Sequence, residues 1–172
     1  MTSPAQDLVE VRLVQLPVQV WAAAQEHFDG LLREFALMTA EQGAESLGGL
    51  GVPARLLELV GRLQQQYAGT SDVQRAALFA AAEAGRTTLD LTYRVPRSAA
   101  GACQHLDAML DEADEYCRAG QHLLTLAAPP DQVAFRKWYL SEFVAQIRGA
   151  EPVPWRYRSG TPSPTGPPST SG

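Results

Sequence analysis

The sequence AQEHFDGLLRE at residues 24–34 recurs without a gap as ACQHLDAMLDE at residues 102–112. The offset is 78 residues (102 − 24), and five of the eleven positions are identical. Each segment follows an alternating apolar run that ends near a proline, residues 9–17 in the first copy and residues 89–96 in the second. The sequence therefore predicts a duplicated unit, in which one strand is followed by one long helix.

Two such units predict an α+β, mostly helical domain with a small two-stranded antiparallel sheet and about five to six helices, related by a pseudo-two-fold axis. Residues 9–16 and 88–95 alternate apolar and polar side chains, which is typical of half-buried strands. With the helices on one face, both edges of so small a sheet are left open. Either the C-terminal segment covers an edge, or another subunit pairs with it.

Apolar residues at steps of three and four predict the helices. Pro17 suits the first turn of the first helix, because its missing N–H would have no intrahelical partner there. The glycine-rich stretch 43–52 predicts a break after it. The five predicted helices run from Pro17 to Gln42, Pro53 to Tyr67, Ser71 to Gly85, Ser98 to Arg118, and Asp131 to about Gly149.

At 172 residues the chain is predicted to form a single domain over residues 9–149, with repeat 1 at about 9–85 and repeat 2 at about 88–149. Residues 1–8 are expected to be a loose N-terminus. Residues 150–158 contain two closely spaced prolines, and we call this segment the strap. Residues 159–172 contain no apolar side chain larger than proline, so we expect a disordered tail.

The composition excludes several functions. A net charge of −5 without a long run of one sign disfavours nucleic acid and anionic lipid as partners. We expect no membrane span and a cytoplasmic protein. Lys137 is the sole lysine and lies outside any phosphate-binding loop, and the GxSxG, HExxH, CxxC and GxGxxG motifs are absent. No cofactor, metal ligand or catalytic residue is predicted.

The two cysteines, Cys103 and Cys117, lie fourteen residues apart on one predicted helix. That spacing is about 21 Å along a helix axis, well beyond the ~7 Å that a disulfide can bridge between Cα atoms. We interpret both as small buried apolar residues.

A second repeated feature is a stripe of one histidine, one small residue and one glutamate at i, i+3 and i+7. The histidine and glutamate are about 10.5 Å apart along the axis, so one helix cannot chelate a metal with them. Two interpretations stay open: histidines packed between helices, or a site between the repeats. The candidate inter-repeat residues are His27, Gly30, Glu34, His105, Ala108 and Glu112.

The second long helix carries an acidic stripe, and the last helix carries an apolar arc wider than one buried face requires. The acidic stripe is interpreted either as a solvated face or as a docking site for a basic partner. The apolar arc is either central in the core or part of an interface. The candidate partner surface consists of Asp107, Asp111, Asp114, Glu115, Trp138 and Phe143.

The segments DLTYRVP (90–96), FRKWYLSEF (135–143) and PVPW (152–155) resemble a group of uncharacterised small actinobacterial proteins. These look like neighbours of partner-switching regulators: STAS-domain anti-anti-sigma factors, anti-sigma kinases and phosphatases. The resemblance covers about residues 9–155. Members are sometimes labelled ATP-binding, but the kinases of such circuits hold magnesium through an asparagine, and this chain has none.

Three functions follow as hypotheses. The first is a non-enzymatic regulatory protein that binds another protein, possible partners being a STAS-domain or anti-sigma regulator in a bacterial partner-switching circuit. The second is a small enzyme or ligand-binding protein with a site between the two repeats. The third is a structural homodimer built on the last helix.

Overall fold

The computed structural model of the protein describes residues 7–41, 51–120 and 127–156. Within these ranges the chain has two strands and five helices, which confirms the α+β, mostly helical class. The predicted tail at 159–172, most of the N-terminus and most of the glycine-rich break lie outside the described residues. The elements are β1 (Leu8–Pro17), α1 (Val18–Glu41), α2 (Gly51–Gln66), α3 (Asp72–Glu83), β2 (Thr88–Pro96), α4 (Ala99–Ala119) and α5 (Pro130–Ile147).

β1 and β2 pair side by side and antiparallel, as the sequence predicts. On one face Val11 lies opposite Tyr93 and Leu13 opposite Leu91, and all four are buried. The intervening side chains, such as Arg12, are exposed. The alternation of the sequence thus becomes one buried and one solvated face, and the helices pack against the buried one.

The register of the strands does not test the duplication. Paired residues are 88 apart at Leu8 and Pro96 (96 − 8) and 78 apart at Leu13 and Leu91 (91 − 13), so the offset of the duplicated segments is matched at one pair of an antiparallel ladder. Both α5 and its counterpart in the first half, α2, pack on α1 and α4, but α5 also packs on β1 and α2 has no comparable contact with a strand. The internal repeat and the pseudo-two-fold axis are therefore not confirmed.

A β-bulge interrupts β1 between Leu13 and Leu16. Gln15 lies there with φ 56°, and its N–H donates to Oδ1 of Asp90 at 2.7 Å. The inserted residue returns Leu16 to the buried face, where strict alternation would have turned it outward. In the sequence, the bulge corresponds to a weaker alternation of apolar and polar side chains after Leu13, since Val14 and Leu16 are both apolar.

The outer edge of β1 is covered from within the chain. The side-chain amide of Gln146 accepts from the N–H of Arg12 and donates to its C=O, both at 2.8 Å. Further along, the N–H of Trp155 donates to the C=O of Val14 at 3.1 Å. α5 and the strap thus occupy this edge of the sheet. Of the two predicted alternatives, the C-terminal segment and not another subunit covers this part of β1.

Two clusters of buried side chains make up the core. One lies between the sheet and α1, α3 and α5, and includes Trp21, Tyr93 and Phe143. The other lies between α1, α2 and α4, and includes Phe35 and Cys117. Both cysteines are free thiols, and burial raises the pKa of each, Cys103 and Cys117, to about 11. They are protonated near neutral pH.

Replacing Gln146 by Met should lower the free energy of unfolding by about 1–3 kcal/mol, because the backbone N–H and C=O of Arg12, which are partly buried, both lose their hydrogen-bond partner. The matched control is Gln74→Met at the other edge, where the Gln74 amide donates to the C=O of Thr92 at 2.7 Å in an exposed position. Water can replace that bond, so the control should change stability by less than about 0.5 kcal/mol. Urea denaturation measures both, and equal effects would contradict the edge role of Gln146.

Candidate functional site

Charged side chains connect α4 to α5. Nη1 of Arg136 lies 2.9 Å from Oδ2 of Asp114, and Nζ of Lys137 lies 2.8 Å from Oδ2 of Asp107. Asp111 pairs with both cations. We call these five residues the α4–α5 ion-pair network. It joins the acidic stripe of α4 to Arg136 and Lys137, two adjacent cations of α5.

The pair of Asp114 and Arg136 is the buried part of this network, with side chains 7% and 13% exposed. Asp114 also accepts from the backbone N–H of Ala128 at 3.1 Å, just before α5 begins. A buried carboxylate with two donors is tolerated because its charge is compensated. The pair therefore fixes the start of α5 against the middle of α4.

The structure does not expose the predicted partner surface as one patch. Asp114 and Phe143 are buried, Trp138 is half-buried, and Glu115 pairs with Arg118. Asp107 and Asp111 are occupied by the network. Asp111 and Glu115 are exposed, which agrees with a solvated face, and docking of a basic partner stays a prediction. The cations that pair with the stripe lie 22–30 residues further along the chain, so no local pattern reveals them.

At Lys137 two effects on the pKa oppose each other. Burial alone would lower it, but the hydrogen bonds to Asp107 and Asp111 outweigh burial, so the pKa is raised. Lys137 is therefore a cation held in place by carboxylates, not an activated amine.

Beside the network lies a cavity of about 200 Å³ between α1, α4 and α5. We call it the helical cavity. Its walls are mostly aliphatic and aromatic, and its polar groups gather near Asp114. It is lined by Trp21, Ala24, Gln25, His27, Phe28, Leu31, Leu106, Leu110, Asp114, Ala128, Gln132, Phe135, Arg136, Tyr139 and Leu140.

Two polar groups of the helical cavity are notable. Burial lowers the pKa of His27, the charge of Asp114 opposes this and that of Arg136 adds to it, so the imidazole is neutral near pH 7. Oε1 of Gln132 is buried and has no hydrogen-bond partner among the described residues. An unsatisfied buried acceptor costs about 1–3 kcal/mol, which a donor entering the cavity would recover.

The six predicted inter-repeat residues do not line one cavity. His27 faces the helical cavity, whereas His105 is exposed in a groove beside α2. Glu112 pairs with Arg55 at 2.8 Å, and Glu34 lies near Cys117, whose pKa it raises. The remaining two are small residues on the same helices: Gly30 is half-buried and Ala108 is exposed.

The prediction of one shared cleft is therefore corrected. α1 turns its histidine toward α4 and α5, and α4 turns its own toward α2, so equivalent sequence positions have different neighbours. Of the six, only His27 belongs to the candidate site. The hydrophobic side chains around it, such as Phe28 and Leu31, were predicted as a packing stripe and not as a cavity wall.

The lining offers little for catalysis. Asp114 and Arg136 compensate each other, and the described lining contains no serine, cysteine or lysine that could act as a nucleophile. Across the described ranges, no three His, Cys, Asp or Glu side chains are grouped to hold a metal ion. What the geometry suits is binding of an apolar molecule with a few polar contacts.

Comparison with known proteins found no match to the chain among protein-family models, curated proteins or solved structures. The resemblance to neighbours of partner-switching regulators therefore stays a prediction, as does the cytoplasmic location. None of the helices in the described part of the chain is long and apolar enough to cross a membrane.

Replacing Asp114 by Ala should destabilise the protein by about 1–3 kcal/mol, since Arg136 loses its buried carboxylate partner and the N–H of Ala128 loses its acceptor. The loss is limited because two other, more exposed carboxylates stay beside Arg136. Asp111→Ala is the matched control on the same helix. Its side chain is 49% exposed, so we expect a loss of less than about 1 kcal/mol. Guanidinium denaturation compares the two, and a small effect at Asp114 would refute its structural role.

His27 predicts a pH dependence of stability. Its pKa in the folded state lies below the ordinary 6.5, so the unfolded chain binds the proton more tightly. The stability that neutral His27 contributes is present above pH 6.5 and is lost as the pH falls through the folded pKa. Between pH 7.5 and 5.5 the melting temperature should fall less in His27→Gln than in wild type, and an equal fall in both proteins would contradict the role of His27.

Proposed function

We propose that this protein binds a small, uncharged, largely apolar molecule in the helical cavity and acts as a non-enzymatic regulatory protein. The observation that carries the proposal is a partly open cavity with mostly apolar walls, in which the acceptor Oε1 of Gln132 is buried and has no hydrogen-bond partner among the described residues. The cavity volume of about 200 Å³ is above the ~150 Å³ of an apolar protein cavity that binds benzene.

The polar groups of the cavity support binding over chemistry. Neutral His27 and the amide of Gln132 can exchange hydrogen bonds with an uncharged ligand. Asp114 and Arg136 are committed to each other and hold α5 in place. A ligand would thus contact the same residues that fix the position of α5, which gives binding a route to change the protein's conformation or stability.

Titration calorimetry with benzene and 1-hexanol tests the proposal. Both should bind wild type and raise its melting temperature, because a ligand that binds only the folded state stabilises it. Ala24→Leu places three more carbon atoms at the cavity wall and should weaken binding at least tenfold. The control Ala36→Leu lies on the exposed side of α1 and should bind as wild type does.

Absence of binding to wild type, or equal binding by Ala24→Leu and wild type, would refute the helical cavity as the site. Circular dichroism of each variant separates a blocked cavity from a damaged fold.

A second candidate is the protein-binding regulator that the resemblance implies, with a STAS-domain or anti-sigma protein as partner. The observation that favours it is the exposure of two apolar side chains on α3, Val73 at 77% and Phe79 at 51%. Phe79 also contacts Trp21 of the helical cavity edge-on, with ring centroids 5.1 Å apart. An exposed residue of α3 therefore contacts a residue that lines the helical cavity.

Purified regulators encoded beside the gene provide the test for this second candidate. Val73→Asp should weaken partner binding at least tenfold, whereas Leu37→Asp, an exposed apolar residue of α1, should not. Light scattering of the free protein is the companion measurement. A dimer that Val73→Asp dissociates would show that the surface of α3 binds a second copy of the chain and not a regulator.

A further inference from the structure

A second cavity, of about 150 Å³, lies between α2, β2, α4 and α5. We call it the sheet cavity. Its lining is almost entirely apolar and includes Ala102, Cys103 and Phe143, with the Tyr93 side chain from the sheet. Leu106 and Tyr139 line both this cavity and the helical cavity, so they form a shared wall.

Tyr139 is the larger residue of the shared wall. The Tyr139 hydroxyl donates to the Tyr93 hydroxyl at 3.1 Å, and the Tyr139 ring packs on Phe135 and Phe143 with centroids 5.7 and 5.3 Å apart. Burial raises the pKa of Tyr139 well above its usual value, so this donor stays protonated. To join the two apolar spaces, Tyr139 has to rotate and exchange this hydrogen bond and these ring contacts for contacts with the ligand.

The charges near the helical cavity select against an anionic ligand. Arg136 is already surrounded by three carboxylates, and His27 is neutral. Nε of Arg136 is a buried donor without a hydrogen bond, but the three carboxylates of the α4–α5 ion-pair network outnumber its two cations, so burying a carboxylate ligand beside Asp114 is unfavourable. An uncharged donor such as a hydroxyl or amide N–H instead matches the vacant acceptor, Oε1 of Gln132.

We infer that the ligand is a linear aliphatic molecule ending in an uncharged hydrogen-bond donor, with its polar end at Gln132 and its chain passing Leu106 and Tyr139 into the sheet cavity. This inference rests on the proposed function of the helical cavity. It adds the ligand's shape, charge and path, which a compact ligand such as benzene would not share.

The test is a titration with primary alcohols from 1-butanol to 1-decanol. In wild type Kd should fall about fourfold with each added methylene that is buried. Ala102→Leu reduces the volume of the sheet cavity. The affinity of this variant should therefore stop rising at a shorter alcohol than the affinity of wild type does. Decanoate should bind wild type at least tenfold more weakly than 1-decanol.

Chemical modification of the wild-type protein needs no variant, so misfolding of a variant cannot affect the result. Cys103 lines the sheet cavity and is half-buried, while Cys117 lies in the separate cluster with α2. With a neutral methanethiosulfonate, 1-decanol should slow the modification of Cys103 at least fivefold and 1-butanol should not. The rate at Cys117, followed by peptide mass spectrometry, should not change with either alcohol.

The outcomes separate the two proposals. If affinity stops rising at the same chain length in wild type and Ala102→Leu, and 1-decanol leaves Cys103 unprotected, the path through the shared wall is wrong although the helical cavity still binds. Equal binding of decanoate and 1-decanol would overturn the uncharged end. If neither benzene nor any alcohol binds, the proposed function itself fails.

Discussion

The buried pair of Asp114 and Arg136 is the interaction on which the rest of the structure depends. α5 packs on α4, α1 and β1, and this pair sets where it begins against α4. From that start, α5 places Tyr139 against Tyr93 and Gln146 against the edge of β1. One charge-compensated contact thus positions both the sheet edge and a wall of the helical cavity.

The same pair shapes the chemistry of the helical cavity. A cavity beside an uncompensated charge would attract water and ions, whereas here the carboxylate and guanidinium form an ion pair. Among the lining residues, His27 is neutral and Oε1 of Gln132 has no hydrogen-bond partner, while Nε of Arg136 is a buried donor without a hydrogen bond. This arrangement supports the proposed uncharged ligand.

The sequence predicted the elements better than their environment. Strand alternation and helical periodicity are local, so both strands and all five described helices were found within a few residues. The bulge at Gln15 showed only as weakened alternation. The ion pairs of the acidic stripe of α4 could not be predicted, because Arg136 and Lys137 are remote in sequence.

The candidate site depended still more on tertiary contacts. His27 and His105 look equivalent in the sequence, yet His27 is half-buried beside α5 and His105 is exposed beside α2. A cavity is empty space between helices, and its walls read in the sequence as ordinary core positions. The unsatisfied acceptor of Gln132 has no sequence signature either, since only the surrounding structure leaves it without a donor.

The central claim is that an uncharged apolar ligand occupies the space between α1, α4 and α5. Nuclear Overhauser effects between 1-hexanol and isotopically labelled protein measure this directly. The account predicts contacts from the alkyl chain to Phe28 and Leu110, which line the helical cavity. Contacts confined to exposed side chains such as Val73, or none at all at saturating alcohol, would contradict it.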